Sequence, residues 1–443
     1  LYHLKKTREE GFDKGLVVAA TGIGKTYLAA FDSREYQRIL FVAHREDILK
    51  QAEKSFKNVR PLSERGFFMG TQKETDKDII FASVQSLGKN DSLKLFQPDY
   101  FDYIIVDEFH HAVAQNYQNI IQYFKPKFLL GLTATPERLD SKDVLAICDY
   151  NLVYEAPLKK AINQGWLVPF RYYAIFDETV NYETIDYRNG KYQTTQLEEA
   201  LSIHKRADLI FSHYKKYRST RAMGFCMSKH HAEFMADYFV KHGVSACAVY
   251  SGDEGVHNTA REKALSKLVK GEINVIFSVD MFNEGLDIAS LDMVMMLRPT
   301  ESPTIFLQQL GRGLRLYKDK HYLNVLDFIG NYKKANFSPY LMTGASKSQF
   351  KKASDVIKED ALLPEDCIMD FDFRLIEKLL VEEYERIKAE LGHRPSRTEL
   401  FTYMDETIYL NIKSKAKINP FKNYLNFLKN QNDLSDEEIA WLD

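Results

Sequence analysis

The chain has 443 residues, 45% of them hydrophobic and 28% charged, with a formal net charge of −2. This length and apolar content suit about three packed domains. The near-neutral balance excludes a global field that would draw the protein onto nucleic acid, so any such binding must come from local clusters. Cys148, Cys226, Cys247 and Cys367 stand far apart with no pair at CxxC spacing. That pattern argues against a zinc site or a disulfide framework and for a reducing, cytoplasmic compartment. No apolar stretch approaches the roughly 18 residues of a membrane span, and no signal peptide opens the chain. Leu1 rather than Met comes first, and the chain reads as a piece of something longer.

The apolar run Gly15-Leu16-Val17-Val18 leads directly into Ala19-Ala20-Thr21-Gly22-Ile23-Gly24-Lys25-Thr26. A buried strand, a glycine-rich turn ending in Lys-Thr and a helix form a phosphate cradle. The backbone from Thr21 through Gly24 wraps an anion, Lys25 reaches the β- and γ-phosphates, and the Thr26 hydroxyl holds magnesium. Ala19 stands where G-x-x-x-x-G-K-[ST] has its first glycine.

Short apolar runs follow at Ile39–Ala43, Asp78–Ala82, Tyr103–Val106 and Phe128–Leu132, separated by stretches of helical length. This is the rhythm of a parallel sheet covered on both faces. It returns at Ala222–Cys226, Ser245–Val249, Asn274–Ser278 and Met293–Leu297. The fold class is therefore α/β, with two parallel-sheet domains in tandem. Residues 161–205 read as a linker and insertion, polar and tyrosine-rich from Asp177 to Ala200. Beyond residue 336 the strand signals stop, and Ser396-Arg397-Thr398-Glu399 reads as a capping box inside a small α-rich tail. The expected boundaries are 1–160, 161–205, 206–335 and 336–443.

Ile104-Ile105-Val106-Asp107-Glu108-Phe109-His110 places two carboxylates at the carboxyl end of a buried strand, the edge where open α/β sheets bind ligands. Asp107 is the expected magnesium carboxylate beside Thr26, and Glu108 the group that orients or deprotonates an attacking water. Thr133 and Thr135, two apart at the next strand end, face one side and can link those carboxylates to a moving part. Asn283-Glu284-Gly285-Leu286-Asp287 follows a later strand. Gly285 permits close backbone approach, and Asp287 can hold a ribose hydroxyl or an arginine. Arg312 and Arg315, three apart in Gln308-Gln309-Leu310-Gly311-Arg312-Gly313-Leu314-Arg315, project to one side of a helix. They suit arginine fingers on a triphosphate, a solvated basic face, or nucleic-acid phosphate.

In this order the motifs resemble those of a superfamily-two helicase, the DEAD/DEAH-box class of RecA-like ATPases. Ala19 to Thr26 is similar to motif I, Phe41 to Arg45 to motif Ia, and Asp107 to His110 to motif II in its DExH form. Thr133 to Thr135 is similar to motif III, Phe225 to Ser228 to motif IV, Gly285 to Asp287 to motif V and Gln308 to Arg315 to motif VI. Within the class the chain looks most like the bacterial RadD, XPB and restriction-motor group carrying a C-terminal domain of unknown function.

The resemblance implies two RecA-like lobes that bind Mg-ATP, with Lys25, Glu108, Gln308, Arg312 and Arg315 in the catalytic set. His110 pairs with Gln308 and couples hydrolysis to domain closure, together with Thr133 and Thr135. Arg45, Ser83, Gln85 and Ser228 touch a sugar-phosphate track. The implied partner is nucleic acid, DNA rather than RNA, with a nuclease domain or subunit outside this chain and no membrane. The implied activity is strand translocation or unwinding driven by ATP, and the rival output is an ATP-gated clamp or remodeller that does not unwind. The adenine-recognising segment that this class places before motif I is largely absent ahead of Ala19.

Overall fold

The structure is a computed structural model. It describes residues 1–134, 142–188, 191–217, 219–252, 255–279, 281, 288–299, 309–311, 313–330, 364, 366–372 and 384–404. The chain divides into two compact units, with the change at Leu167/Val168.

The first unit is built on eight strands: β1 (Lys14–Ala19), β2 (Ile39–Ala43), β3 (Arg65–Met69), β4 (Gln72–Lys73), β5 (Ile79–Ser83), β6 (Tyr103–Val106), β7 (Phe128–Thr133) and β8 (Leu152–Ala156). Their order across the sheet is β4-β3-β5-β2-β6-β7-β1-β8. Only the β3–β4 pair is antiparallel. The near-continuous apolar runs follow from burial on both faces. Along β1, Val17 and Ala19 enter one core with Phe41 and Phe56, while Leu16 and Val18 enter the other with Ile104 and Phe109. That is the two-residue alternation of a strand. The helix Glu46–Val59 covers the first core with Ile48, Leu49, Ala52, Phe56 and Val59. Those positions lie on one helical face, and Glu46 and Asp47 in its first turn suit its N-terminal dipole.

The second unit holds β9 (Phe170–Phe176), the antiparallel hairpin β10 (Tyr187–Arg188) and β11 (Lys191–Tyr192), and then β12 (Ala222–Phe225), β13 (Ala246–Val249), β14 (Val275–Ser278), β15 (Met293–Met296), β16 (Leu323–Ile329) and β17 (Ile368–Phe371). Its main sheet is parallel throughout, in the order β13-β14-β12-β15-β16-β9-β17. β9 falls inside the stretch read from sequence as linker, and β17 inside the stretch read as helical tail. On β9 the Arg171 guanidinium lies 3.7 Å from the centre of the Tyr322 ring. Tyr173 on the same strand stacks on Tyr217 at 3.8 Å. The tail beyond residue 336 lies mostly outside the described residues. Its described part holds β17, helical residues 384–391 and the helix Arg397–Tyr403, which opens on the Ser396–Glu399 capping box.

One buried ion pair fastens this unit. Arg206 donates to Asp177 Oδ2 at 2.7 Å and to the Leu297 carbonyl at 3.0 Å, with both charged side chains removed from solvent. It joins the helix His204–Tyr217 to the chain just past β9 and β15.

Candidate nucleotide-binding site

The phosphate loop leaves β1 at Ala19 and enters the helix Lys25–Asp32. Gly22 and Gly24 take φ of +100° and +92°, a region closed to most side chains. A Cβ on Gly24 would meet no atom within 4 Å, so the backbone there faces open space. No side chain caps the helix, and its first N–H groups and positive dipole end serve the loop. Lys25 Nζ spans the loop and donates to the Ala19 carbonyl at 2.9 Å. The sequence-predicted residues Thr21, Gly22, Ile23, Gly24, Lys25 and Thr26 are thus brought into one turn.

The registers of β1, β7 and β6 set the next group beside it. Val18 pairs with Thr133, and Gly131 pairs with Val106, so Asp107 and Glu108 continue from the same sheet edge. The Asp107 amide donates to the Val42 carbonyl at 3.0 Å, and its Oδ1 accepts from the Glu108 amide at 3.0 Å. Glu108 adopts φ 50°, ψ 50°, a left-handed conformation that strains a residue other than glycine. It turns the chain into the short helical turn Phe109–His111. His110, buried, lies with Nδ1 3.3 Å from Glu108 Oε2 and 3.2 Å from Thr133 Oγ1. With its proton on Nδ1 the ring donates to the Thr133 hydroxyl, and with the proton on Nε2 it accepts from that hydroxyl; Glu108 Oε2 pairs with the ring only when the imidazole is protonated. Gly131 makes the turn possible, because a Cβ there would lie 2.7 Å from the Phe109 ring. Thr133 therefore meets His110 directly, while Thr135 lies outside the described residues.

Thr26 offers a hydroxyl and Asp107 a carboxylate, oxygen donors of the kind magnesium takes. Among the described residues no group of three or more His, Cys, Asp and Glu is placed to hold a metal ion.

Beside the loop lies a cavity of about 460 Å³, lined among others by His3, Val17, Lys25, Leu28, Tyr154 and Trp166. His3 stacks on Tyr154 with ring centres 5.4 Å apart and planes at 26°. Sequence reasoning missed this wall, since its members are scattered and match no motif. The one signal available was Trp166, one of two tryptophans in the chain and 40% exposed.

Comparison with known proteins now bears on this geometry. A family model described as the res subunit of type III restriction enzymes matches residues 1–138, and a helicase conserved C-terminal domain matches residues 202–317. Over these two domains the chain matches the superfamily-two helicase family. The chain is 27% identical over 337 residues to IRC3 of Saccharomyces cerevisiae, provisionally described as an ATP-dependent helicase, covering 71% of this chain and 48% of that protein. It is 26% identical over 468 residues to a type I restriction enzyme EcoAI endonuclease subunit of Escherichia coli, covering 95% of this chain and 55% of that one. The chain thus spans about half the length of these relatives. In fold it is similar to the DNA-bound type ISP restriction-modification enzyme LlaBIII, with a TM-score of 0.60 at 14% identity, covering 99% of this chain and 40% of that one.

Ser83 is buried, and its hydroxyl caps the helix Val84–Leu87 by accepting from the Ser86 amide at 3.2 Å. Gln85, on that helix, is exposed. Arg45 is the N-cap residue of the helix Glu46–Val59 and is half-buried. In the second unit the Ser228 hydroxyl accepts from the His231 amide at 3.1 Å and donates to Glu198. Arg315 is half-buried. Gly285, Asp287, Gln308 and Arg312 lie outside the described residues. Among the described residues no helix is long and apolar enough to cross a membrane.

Proposed function

We propose that this chain is the motor core of a cytoplasmic ATP-dependent helicase or translocase that acts on DNA. Residues 1–160 and 206–335 serve as its two RecA-like lobes, and a nuclease domain or subunit outside this chain is its partner. The observation that carries the reading is His110, within reach of both Glu108 and Thr133 at the sheet edge next to the phosphate loop. A strained carboxylate, an imidazole and a hydroxyl in series beside an anion cradle suit water activation next to a phosphate.

Lys25 and the loop N–H groups hold the triphosphate, drawing the ammonium off the Ala19 carbonyl. Thr26 and Asp107 hold the magnesium, which neutralises phosphate charge when bound. Glu108 orients water in line with the γ-phosphorus. As the water oxygen bonds to phosphorus, the bond to the β,γ-bridging oxygen breaks, ADP leaves with that electron pair, and the proton passes to Glu108. His110 and Thr133, with Thr135 and Gln308, report the change in charge, and Arg312 and Arg315 offset it on the γ-phosphate. Gly285 and Asp287 complete the nucleotide contacts. The base occupies the cavity beside Tyr154. Arg45, Ser83, Gln85 and Ser228 grip a sugar-phosphate backbone in a sequence-independent, salt-sensitive way.

The test is Glu108→Gln. It should retain binding of a fluorescent ATP analogue and lose ATP hydrolysis by about 10²-fold or more, the usual weight of a general base. Parallel rates with single-stranded DNA, duplex DNA and RNA identify the activating strand. Hydrolysis at the wild-type rate by the variant would remove Glu108 from the mechanism, and stimulation by RNA alone would remove DNA.

A further inference from the structure

Lys320 belongs to none of the motifs above, yet its ammonium donates to three backbone carbonyls: Ala289 at 2.9 Å, Arg315 at 3.0 Å, and Gly313. An ammonium has three donors and no acceptor, so this one group matches three inward-facing oxygens. The carbonyl between the last two, on Leu314, accepts from the Val168 amide at 2.8 Å. Three successive carbonyls, at 313, 314 and 315, are therefore each tied to a donor elsewhere in the unit. The segment is also pressed against the start of β16, because a Cβ on Gly313 would lie 2.6 Å from the Leu323 side chain. On the other side, Ala289 stands just past the stretch that includes Gly285 and Asp287.

We propose that Lys320 is a positioning residue for Arg315: it fixes the backbone from which that guanidinium extends and joins it to the chain at Ala289. The proposal rests on the reading of Arg315 as a charge that meets the triphosphate. Lys320 acts through Arg315 and does not touch nucleotide. A flexible side chain carrying a point charge can converge three carbonyls on one nitrogen, whereas the planar, forked guanidinium of an arginine presents its donors in a different geometry. Holding a reacting charge in place is worth much in rate, since a displacement of about 1 Å can cost on the order of 10²-fold.

The test compares the full chain as wild type, Lys320→Met, Lys320→Arg, Arg315→Ala and the double variant Arg315→Ala/Lys320→Met. Steady-state ATP hydrolysis is read beside equilibrium binding of a fluorescent ATP analogue. Lys320→Met should lower kcat roughly tenfold to a hundredfold and leave the analogue's Kd within about twofold. The double variant should turn over no more slowly than Arg315→Ala alone, because both changes remove the same contribution. Wild-type kcat in Lys320→Met, or a further loss in the double variant, overturns the proposal. If Arg315→Ala itself hydrolyses ATP at the wild-type rate, the reading of Arg315 has failed and the proposal falls with it. A loss in Arg315→Ala beside full activity in Lys320→Met refutes the lysine alone. Should Lys320→Met not fold, Lys320→Arg decides: reduced kcat with an unchanged melting midpoint supports the proposal, and unchanged kcat refutes it.

Discussion

Each unit of this chain turns from a strand into a helix at the carboxyl edge of its parallel sheet, and the two corners are built differently. At Ala19–Lys25 the turn uses two left-handed glycines and leaves the helix without a side-chain cap. At Phe225–Lys229 the turn has no glycine, and Ser228 fills the helix N-terminus by accepting from the His231 amide. His231 folds back, accepting from the Met227 amide at 3.4 Å, and Glu198 takes the serine hydroxyl. The first corner has no side-chain cap, whereas the second caps its helix with its own serine. The same strand-and-helix plan can therefore be repeated without repeating the chemistry, because the chemistry resides in a few loop residues.

Three experiments bear on this contrast. The largest effect belongs to the open corner. Lys25→Ala should lower ATP turnover by about 10²–10³-fold, the range for removing one donor to a reacting oxyanion, as read by phosphate release. Turnover close to wild type would mean that this corner does not hold the triphosphate.

The closed corner should answer to pH. Burial, with the Arg206 charge next in weight, holds the His231 imidazole well below the usual histidine range, so it stays neutral in the folded state. The unfolded chain takes up that proton below about pH 6.5. Stability from this group is complete above that pH and is lost as pH falls below it, by at most about 1.4 kcal/mol per pH unit. His213, also lowered by burial, adds in the same direction. Urea midpoints measured between pH 7 and pH 5 should show a shallower slope in His231→Gln, and an identical slope would exclude this histidine as the source.

The smallest effect comes from Ser228→Ala, which should destabilise the protein by about 1 kcal/mol through loss of the helix cap. A loss of single-stranded DNA affinity in that variant would add a contact role to the capping role.

Sequence and structure agree where residues carry their meaning locally. The runs at β1, β2 and β6 could be read as strands because a strand buried on both faces has few polar positions. The phosphate loop could be read because Gly22, Gly24 and Lys25 are themselves the chemistry. What escaped notice was assembled by the fold. His3 meets Tyr154 only because β8 lies next to β1, and no spacing announces such a wall. Ser83 and Ser228 drew attention as backbone-gripping hydroxyls, yet in the structure each first serves a helix end. Lys320 has no local pattern, since its partners are carbonyls, which every residue owns.

Gly131 sits in the middle of β7, beneath the Phe109 ring. An alanine there would push the ring, and with it the turn that carries His110, although position 131 itself approaches no phosphate. A hydrogen-for-methyl exchange deep in the sheet would thus reach the turn that carries His110 without altering any side chain of the site itself.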